Sequence, residues 1–409
     1  MTTFEQLITP LHNFLSTQGR KIDEISDSRN FLFKEFVLKM IYSFVMRLPS
    51  MRMLLSDLKT NPVAAQLGLS PTAYSTFRDA FSRFDFSYFK KLYLEVLQNN
   101  DWASVRELKN LGIFQLVDGS LFPTLKSMEW AKYKKKRKSI RLHLSWELNR
   151  QIPTEFIGQK ANSSERRFLL SILQKGITYI ADRGYFSFEV GKKIHQAKAF
   201  FIIRLKSNLK YKVVEELAIT TTSNQMPTCF DQIRDGKIQF DNDPSKLTYR
   251  LIRFRVLQSV FLICTNRMDL TTLQVILLYA YRWQIELFFK FIKRTLNGIH
   301  LFNNSENGVN IQFYLLMTTA LLQLRLKQIC LKKKKGNQSS KSTDEKKIQK
   351  EGQLEDLNTY YGKSPEKWIK SIAEIFYTCW KIDAHWLLHL KNLITQPFEN
   401  QVINILATE

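Results

Sequence analysis

Tyr279, Arg282 and Lys293 stand seven residues before, four before and seven after Glu286 in the segment YAYRWQIELFFKFIKR. On a helix of about 3.6 residues per turn these offsets bring all four near one stripe. A carboxylate flanked by a phenol, a guanidinium and an ammonium is suited to holding a metal ion beside a phosphodiester, with the cations taking the phosphate oxygens. Two further acids have a matching setting, because Asp118 follows the apolar run of IFQLVDGS and Asp182 that of ITYIADRG. If those runs are neighbouring strands, both carboxylates emerge at C-terminal strand ends. An Asp before Gly is also a common turn former, which is the competing account of each taken singly. Two-metal phosphoryl transfer needs about three carboxylates converging on ions roughly 3.5–4 Å apart, and Asp118, Asp182 and Glu286 supply that set. Oxygen-only ligands favour Mg²⁺ or Mn²⁺ over zinc.

These side chains need a scaffold, and the chain supplies elements of two kinds. Residues 1–105 read as a helical region, with apolar helical spacing in FLFKEFVLKMIYSFVMRL and FSYFKKLYLEVLQ. Between those helices, a short helix running to Gly68 and a second starting at Ser70–Pro71, with Arg78 and Arg83 projecting, fits either a DNA-reading helix-turn-helix or an ordinary helical hairpin. From 106 to 328 the pattern is mixed α/β: IFQLVDGS, SIRLHLSWE, ITYIADRG and AFFIIRLKS are short β-prone runs separated by turns and one amphipathic segment. Residues 208–262 read as a β-rich insertion with polar turns at RDGK and DNDPS, where Asp235, Asp241 and Asp243 are expected to form turns. A long helix over 271–296 and another over 310–331 follow. Residues 329–358 have linker composition, and 359–409, carrying Trp368, Trp380 and Trp386, form a helical C-terminal region.

With 61 Lys and Arg against 37 Asp and Glu, the net charge of +24 points to polyanionic partners, nucleic acid first. The run KYKKKRKSIRLHL concentrates that charge soon after Asp118, so Lys134, Lys135, Lys136 and Arg137 are candidates for gripping a DNA backbone, against the alternative of a solvated loop. His143 in this run reads as a strand residue rather than a general base. Four separated cysteines show neither zinc spacing nor a disulfide framework. No basic-then-apolar leader and no stretch near the ~18 apolar residues of a membrane span is evident, so a cytoplasmic, nucleoid-associated protein is expected.

Taken together, LVDGS, IADRGY and the Tyr-x2-Arg-x3-Glu-x6-Lys pattern make the chain similar to DDE transposases of the bacterial insertion-sequence-four family. TNRMDLTTLQVILLYAYRWQIELFFKFIK and SENGVNIQFYLL are also similar to family members, so the resemblance covers about 111–325. It implies an RNase H-like catalytic core with a β-rich insertion before the catalytic helix. It also implies Mg²⁺ bound by Asp118, Asp182 and Glu286, and phosphates gripped by Tyr279, Arg282 and Lys293. The implied reaction is cut-and-paste transposition on double-stranded DNA; because joining two ends into one target requires two active centres, a homodimer is expected in the DNA complex. Family members generally pass through a DNA hairpin and seat a flipped base in an aromatic pocket; residues 183–282 contain no Trp, so Phe or Tyr would have to serve here. Two other functions remain open on the same fold: a DNA-binding protein without chemistry, and a stand-alone nuclease that cuts without joining ends.

Overall fold

In the computed structural model, residues 3–338 are described apart from 29, 106–107, 135–136, 222–229 and 257–258. The described residues divide into two compact units: Ser104–Phe291 form one, and those up to Ala103 together with those from Ile292 to Gln338 form the other.

The second unit is helical. It contains α1 (Thr3–Ile8), α2 (His12–Ile25), α3 (Phe33–Val45), α4 (Met51–Thr60), α5 (Pro62–Gln66), α6 (Tyr74–Arg83), α7 (Phe86–Gln98) and a long helix, Glu306–Gln338. The abundant Phe explains its core: Phe33, Phe36, Phe77, Phe81, Phe84 and Phe89 are wholly buried, with Phe36 meeting Phe81 edge-on at 5.0 Å and Phe33 meeting Phe89 at 4.9 Å. Asn307 ties the long helix to the α6–α7 corner through Phe81 O and Phe84 O, both at 2.8 Å. The second helix of the pair read as either a helix-turn-helix or a helical hairpin starts later than Ser70–Pro71, at Tyr74. Residues 69–73 are irregular, as Pro71 disfavours helix before it, and buried Lys39 Nζ donates to Thr72 Oγ1 at 2.6 Å. Arg78 is exposed and paired with Asp79, whereas Arg83 turns back to Phe31 O at 3.5 Å. The long helix enters the segment read as a linker and runs through it to Gln338. Residues 339–409, with the expected C-terminal helical region and its three Trp, lie outside the described residues.

The first unit is a sheet with helices: β1 (Ile113–Phe122), β2 (Lys132–Lys134), β3 (Arg137–Lys138), β4 (Ile140–Glu147), β5 (Ile152–Lys160), α8 (Glu165–Ser171), β6 (Ile177–Ala181), α9 (Phe188–Gln196), β7 (Phe200–Arg204), β8 (Tyr211–Glu216), β9 (Asp231–Phe240), β10 (Tyr249–Val256), β11 (Ser259–Thr265), α10 (Thr272–Ala280) and α11 (Trp283–Lys290). Among the described residues the main sheet has nine strands in the order β5-β4-β1-β6-β7-β11-β10-β9-β8, and β2-β3 form a small separate hairpin. β1, β6 and β7 are parallel; every other pairing is antiparallel.

Several expectations change. β5 is an additional edge strand that accommodates Pro153, whose missing N–H is tolerated at an edge. RDGK is no turn: it lies inside β9, where Asp235 is buried and doubly hydrogen-bonded by Arg250 at 2.9 and 2.6 Å. Asp243 does form a turn, accepting Ser245 N–H at 2.9 Å. The helix over 271–296 is broken into α10, α11 and a π-helical turn, Phe291–Thr295. Cys264 is a free, buried thiol. Among the described residues no helix is long and apolar enough to cross a membrane.

Candidate active site

The parallel register of β1 and β6 ends at Val117↔Ala181, so Asp118 and Asp182 are the next residues on two adjacent central strands. Their surroundings then differ. Asp182 leaves the sheet in a turn closed by Tyr185 N–H donating to Asp182 O at 3.0 Å. Asp118 was expected at a strand end, but β1 continues to Phe122 because β4 still pairs with it, Asp118 lying opposite Leu144. The Gly119 N–H donates to Asp118 Oδ1 at 2.8 Å. A Cβ on Gly119 would lie 3.2 Å from Arg141 Cδ and 3.3 Å from His143 Nδ1, so the small residue keeps β4 side chains close to the acid.

Glu286 is delivered by the broken helix. A capping box between Thr271 and Gln274 starts α10, and the buried Asp235–Arg250 pair anchors that start: Thr272 Oγ1 donates to Asp235 Oδ2 at 2.7 Å and Arg250 Nη1 to Leu270 O at 2.5 Å. The insertion therefore anchors the start of α10, the segment that leads into the helix α11 carrying the third acid. At the break, Arg282 N–H bonds Tyr279 O at 2.9 Å and Ile285 N–H bonds Arg282 O at 3.2 Å, tight three-residue steps that overwind the chain. α11 then docks through Ile285, Phe288 and Phe289, with Phe288 against Trp146 at 4.6 Å. The outcome is two contacts at the carboxylates: Tyr279 Oη reaches Asp182 Oδ1 at 3.5 Å, and Arg282 Nη2 donates to Glu286 Oε1 at 2.8 Å. Lys290 stands over the Trp283 ring at 5.2 Å.

Asp118, Asp182, Glu286, Tyr279 and Arg282 are thus gathered in one unit. Lys293 falls in the π-helical turn of the helical unit. Lys134 is exposed on the β2–β3 hairpin; Lys135, Lys136 and the Arg137 side chain lie outside the described residues. Lys138 of the same hairpin is committed locally, to Glu129 and to Lys126 O at 2.6 Å.

Burial pushes the Asp118 carboxyl up to about 6; the Gly119 amide and Arg282 charge pull it down, and Glu286 and Glu165 push it further up. Burial works against the charge of Arg282, yet Tyr279, Glu286 and Asp118 outweigh it and hold the guanidinium more firmly protonated. Burial likewise pushes the Tyr279 phenol up to about 12. His143 is wholly buried, with Nε2 on Ser163 Oγ at 2.8 Å and its ring stacked on Phe168. Burial, then the Arg141 charge, lowers it to about 4, so it stays neutral.

Reading the sequence missed Arg141, Glu165, Tyr185 and Arg204. Arg141 pairs with Glu165, a contact between residues far apart in sequence that no local pattern signals. Arg204 ends β7 beside Asp182, packs on Phe261 at 4.3 Å, and its charge reaches Tyr279. Tyr185 sits in IADRGY, where only the Asp drew notice.

Among the described residues no three His, Cys, Asp or Glu side chains stand close enough for a ready-made metal cage. The donor set nevertheless fits a hard divalent ion. Asp118 and Asp182 each follow the last paired residues of two parallel strands, and the effect of Glu286 and Glu165 on Asp118 is the repulsion a cation would relieve.

Three antiparallel strands, β5-β4-β1, followed by the parallel β6 and β7 define an RNase H-like core, here widened by four strands. Residues 110–322, over half of the 409, match the family model described as Transposase DDE domain, and the chain belongs to that family. It is 30% identical over 227 residues to a Sinorhizobium fredii protein carrying a transposase name, y4zB, covering 54% of this chain and 63% of the relative. It is 22% identical over 252 residues to a Geobacillus stearothermophilus protein named for the transposase of element IS5377, covering 60% and 65%. A Synechocystis protein named for the transposase of element IS4SA is 26% identical over 158 residues, covering 38% and 42%. The matches therefore span less than two thirds of each relative's own length.

Proposed function

We propose that this chain is a transposase of the insertion-sequence-four type that cuts double-stranded DNA at the ends of its element and joins the freed 3′-hydroxyls to a target. The observation that supports this reading is the register that sets Asp118 and Asp182 just past paired residues of two parallel strands, with Glu286 of α11 acting electrostatically on Asp118. In this reading Asp118, Asp182 and Glu286 hold Mg²⁺, with Mn²⁺ able to substitute. When bound, the metal activates the attacking oxygen and stabilises the leaving one. Arg282, now on Glu286, exchanges that partner for a phosphate oxygen when DNA arrives, and Tyr279 orients Asp182. Lys293 and, in the basic run, Lys134, Lys135, Lys136 and Arg137 grip the backbone without reading bases. Paired DNA ends bring two protomers together, and the protein works on the nucleoid.

The test is a duplex carrying the inverted repeats that flank the coding region, incubated with Mg²⁺ and a target plasmid. The wild type should cut and join. Asp118→Ala, Asp182→Ala and Glu286→Ala should each lose cleavage while keeping most DNA binding, because the distributed basic surface is untouched. Cleavage without joining would instead identify a stand-alone nuclease, and specific binding without cleavage an inactive DNA-binding protein.

A further inference from the structure

Tyr185 has chemistry that neither the packing nor the reaction above uses. Its ring belongs to the apolar cluster of Val117, Phe168, Tyr179 and Ala181, and the residue is 1% exposed. Yet among the described residues its hydroxyl has no hydrogen-bond partner, although a buried phenol ordinarily finds one. The hydroxyl is also not in neutral surroundings. Asp118, Glu165, Arg141 and Asp182 all act on it electrostatically, with Asp118 the strongest of the four.

The hydroxyl is held in this place by both acid-bearing segments. The turn from Asp182 fixes the Tyr185 backbone, through the 3.0 Å bond to Asp182 O. The first turn of α8 clamps the same turn: Arg166 Nε donates to Gly184 O at 3.1 Å, and Glu165 Oε2 lies only 3.1 Å from where a Cβ on Gly184 would be. Glu165 in turn is held by Arg141, whose stem packs where a Gly119 side chain would stand, next to Asp118. A donor fixed this firmly among carboxylates, but unbonded, weakens the metal-free protein. Such a cost is characteristic of groups whose partner forms only in the working state.

We propose that Tyr185 is a positioning residue of the metal site: its hydroxyl donates to the Asp118 carboxylate once that carboxylate has turned to hold a divalent ion. An ionised carboxylate offers about four acceptor sites. One oxygen of Asp118 takes the Gly119 N–H, which leaves capacity for both the ion and the phenol. A second donor would fix the ligand's orientation, as partners behind metal ligands generally do. Tyr185 touches neither ion nor DNA in this scheme.

The inference rests on the metal-binding reading of the triad, and Mn²⁺ binding by the full chain without DNA separates the two. Wild type should bind Mn²⁺ by electron paramagnetic resonance titration, and Asp182→Ala should abolish that binding. If wild type binds none, or Asp182→Ala binds equally, the triad reading itself fails. With the triad reading intact, Tyr185→Phe should weaken Mn²⁺ binding by about tenfold or more, while its metal-free melting temperature stays level or rises, since only an unsatisfied hydroxyl is lost. Unchanged Mn²⁺ affinity overturns the inference. So does weaker affinity accompanied by a lower metal-free melting temperature, which would mark Tyr185 as packing alone. Should Tyr185→Phe fail to fold, 4-fluorophenylalanine at 185 fills the para position without a donor and is read by the same criteria.

Discussion

Replacing Asp118 with Asn should make the metal-free protein more stable while destroying its chemistry. The Asp118 carboxyl is raised from 3.8 to about 6, with burial the largest cause. In the folded state it therefore holds its proton more tightly than in the unfolded chain. The associated stability is complete below about pH 4 and is lost as pH rises through about 6. Each unit is worth about 1.4 kcal/mol, so the ionised carboxylate costs the fold about 3 kcal/mol by pH 8. Asn keeps the acceptor for the Gly119 N–H and does not titrate. The advantage of Asp118→Asn should thus be about 3 kcal/mol at pH 8 and roughly half that at pH 5. For a unit of this size that is a rise in melting temperature of roughly 6 °C or more at pH 8. Thermal melts of both proteins across pH 5–8, with EDTA present, measure it. An Asn variant no more stable than wild type at pH 8, or an advantage that does not shrink towards pH 5, would refute the reasoning that burial and the neighbouring acids strain this carboxylate.

Arg282→Ala should weaken binding at the cleavage site and slow cleavage, and Arg282→Lys should restore only part of both, since an ammonium cannot replace a bidentate fork; full activity in the two variants, by gel-based cleavage assay, removes the phosphate role. Arg250→Met leaves Asp235 buried and unpaired, and should cost about 3–5 kcal/mol in urea unfolding as well as activity, because α10 loses its anchor; a loss below about 1 kcal/mol contradicts that anchoring. Neutralising Lys134, Lys135, Lys136 and Arg137 together should lower affinity for all DNA sequences alike and flatten the salt slope by roughly three to four; an unchanged slope makes the run a solvated stretch. Light scattering should show a dimer or larger assembly on terminal DNA, as concerted joining of two ends needs two active centres; a monomeric complex that still joins two ends contradicts this.

What was legible in the sequence followed local rules. The apolar runs before Asp118 and Asp182 are β1 and β6, and the period of FLFKEFVLKMIYSFVMRL gives α3 with its buried stripe. Failures came where a distant partner overrode a local preference. RDGK has turn composition, but Arg250 and Thr272 satisfy Asp235 inside a strand. The helix over 271–296 has unbroken helical periodicity, yet it is overwound at Tyr281–Arg282, a break that composition does not announce. Spacing put Tyr279 and Arg282 beside Glu286; it could not show that Tyr279 instead reaches Asp182. Arg141 and Glu165 meet only because β4 and the start of α8 flank the same strand, so nothing in either segment pointed to the site.

The most direct test of the central claim, that these acids are metal ligands in DNA cleavage, exchanges one ligand oxygen for sulfur. Asp182→Cys should be nearly inactive with Mg²⁺, which binds thiolate poorly, and should recover cleavage of terminal DNA with Mn²⁺, which accepts softer ligands more readily. Equal cleavage by Asp182→Cys and wild type in Mg²⁺ alone would contradict direct ligation and, with it, the assignment of Asp118, Asp182 and Glu286 as the catalytic triad.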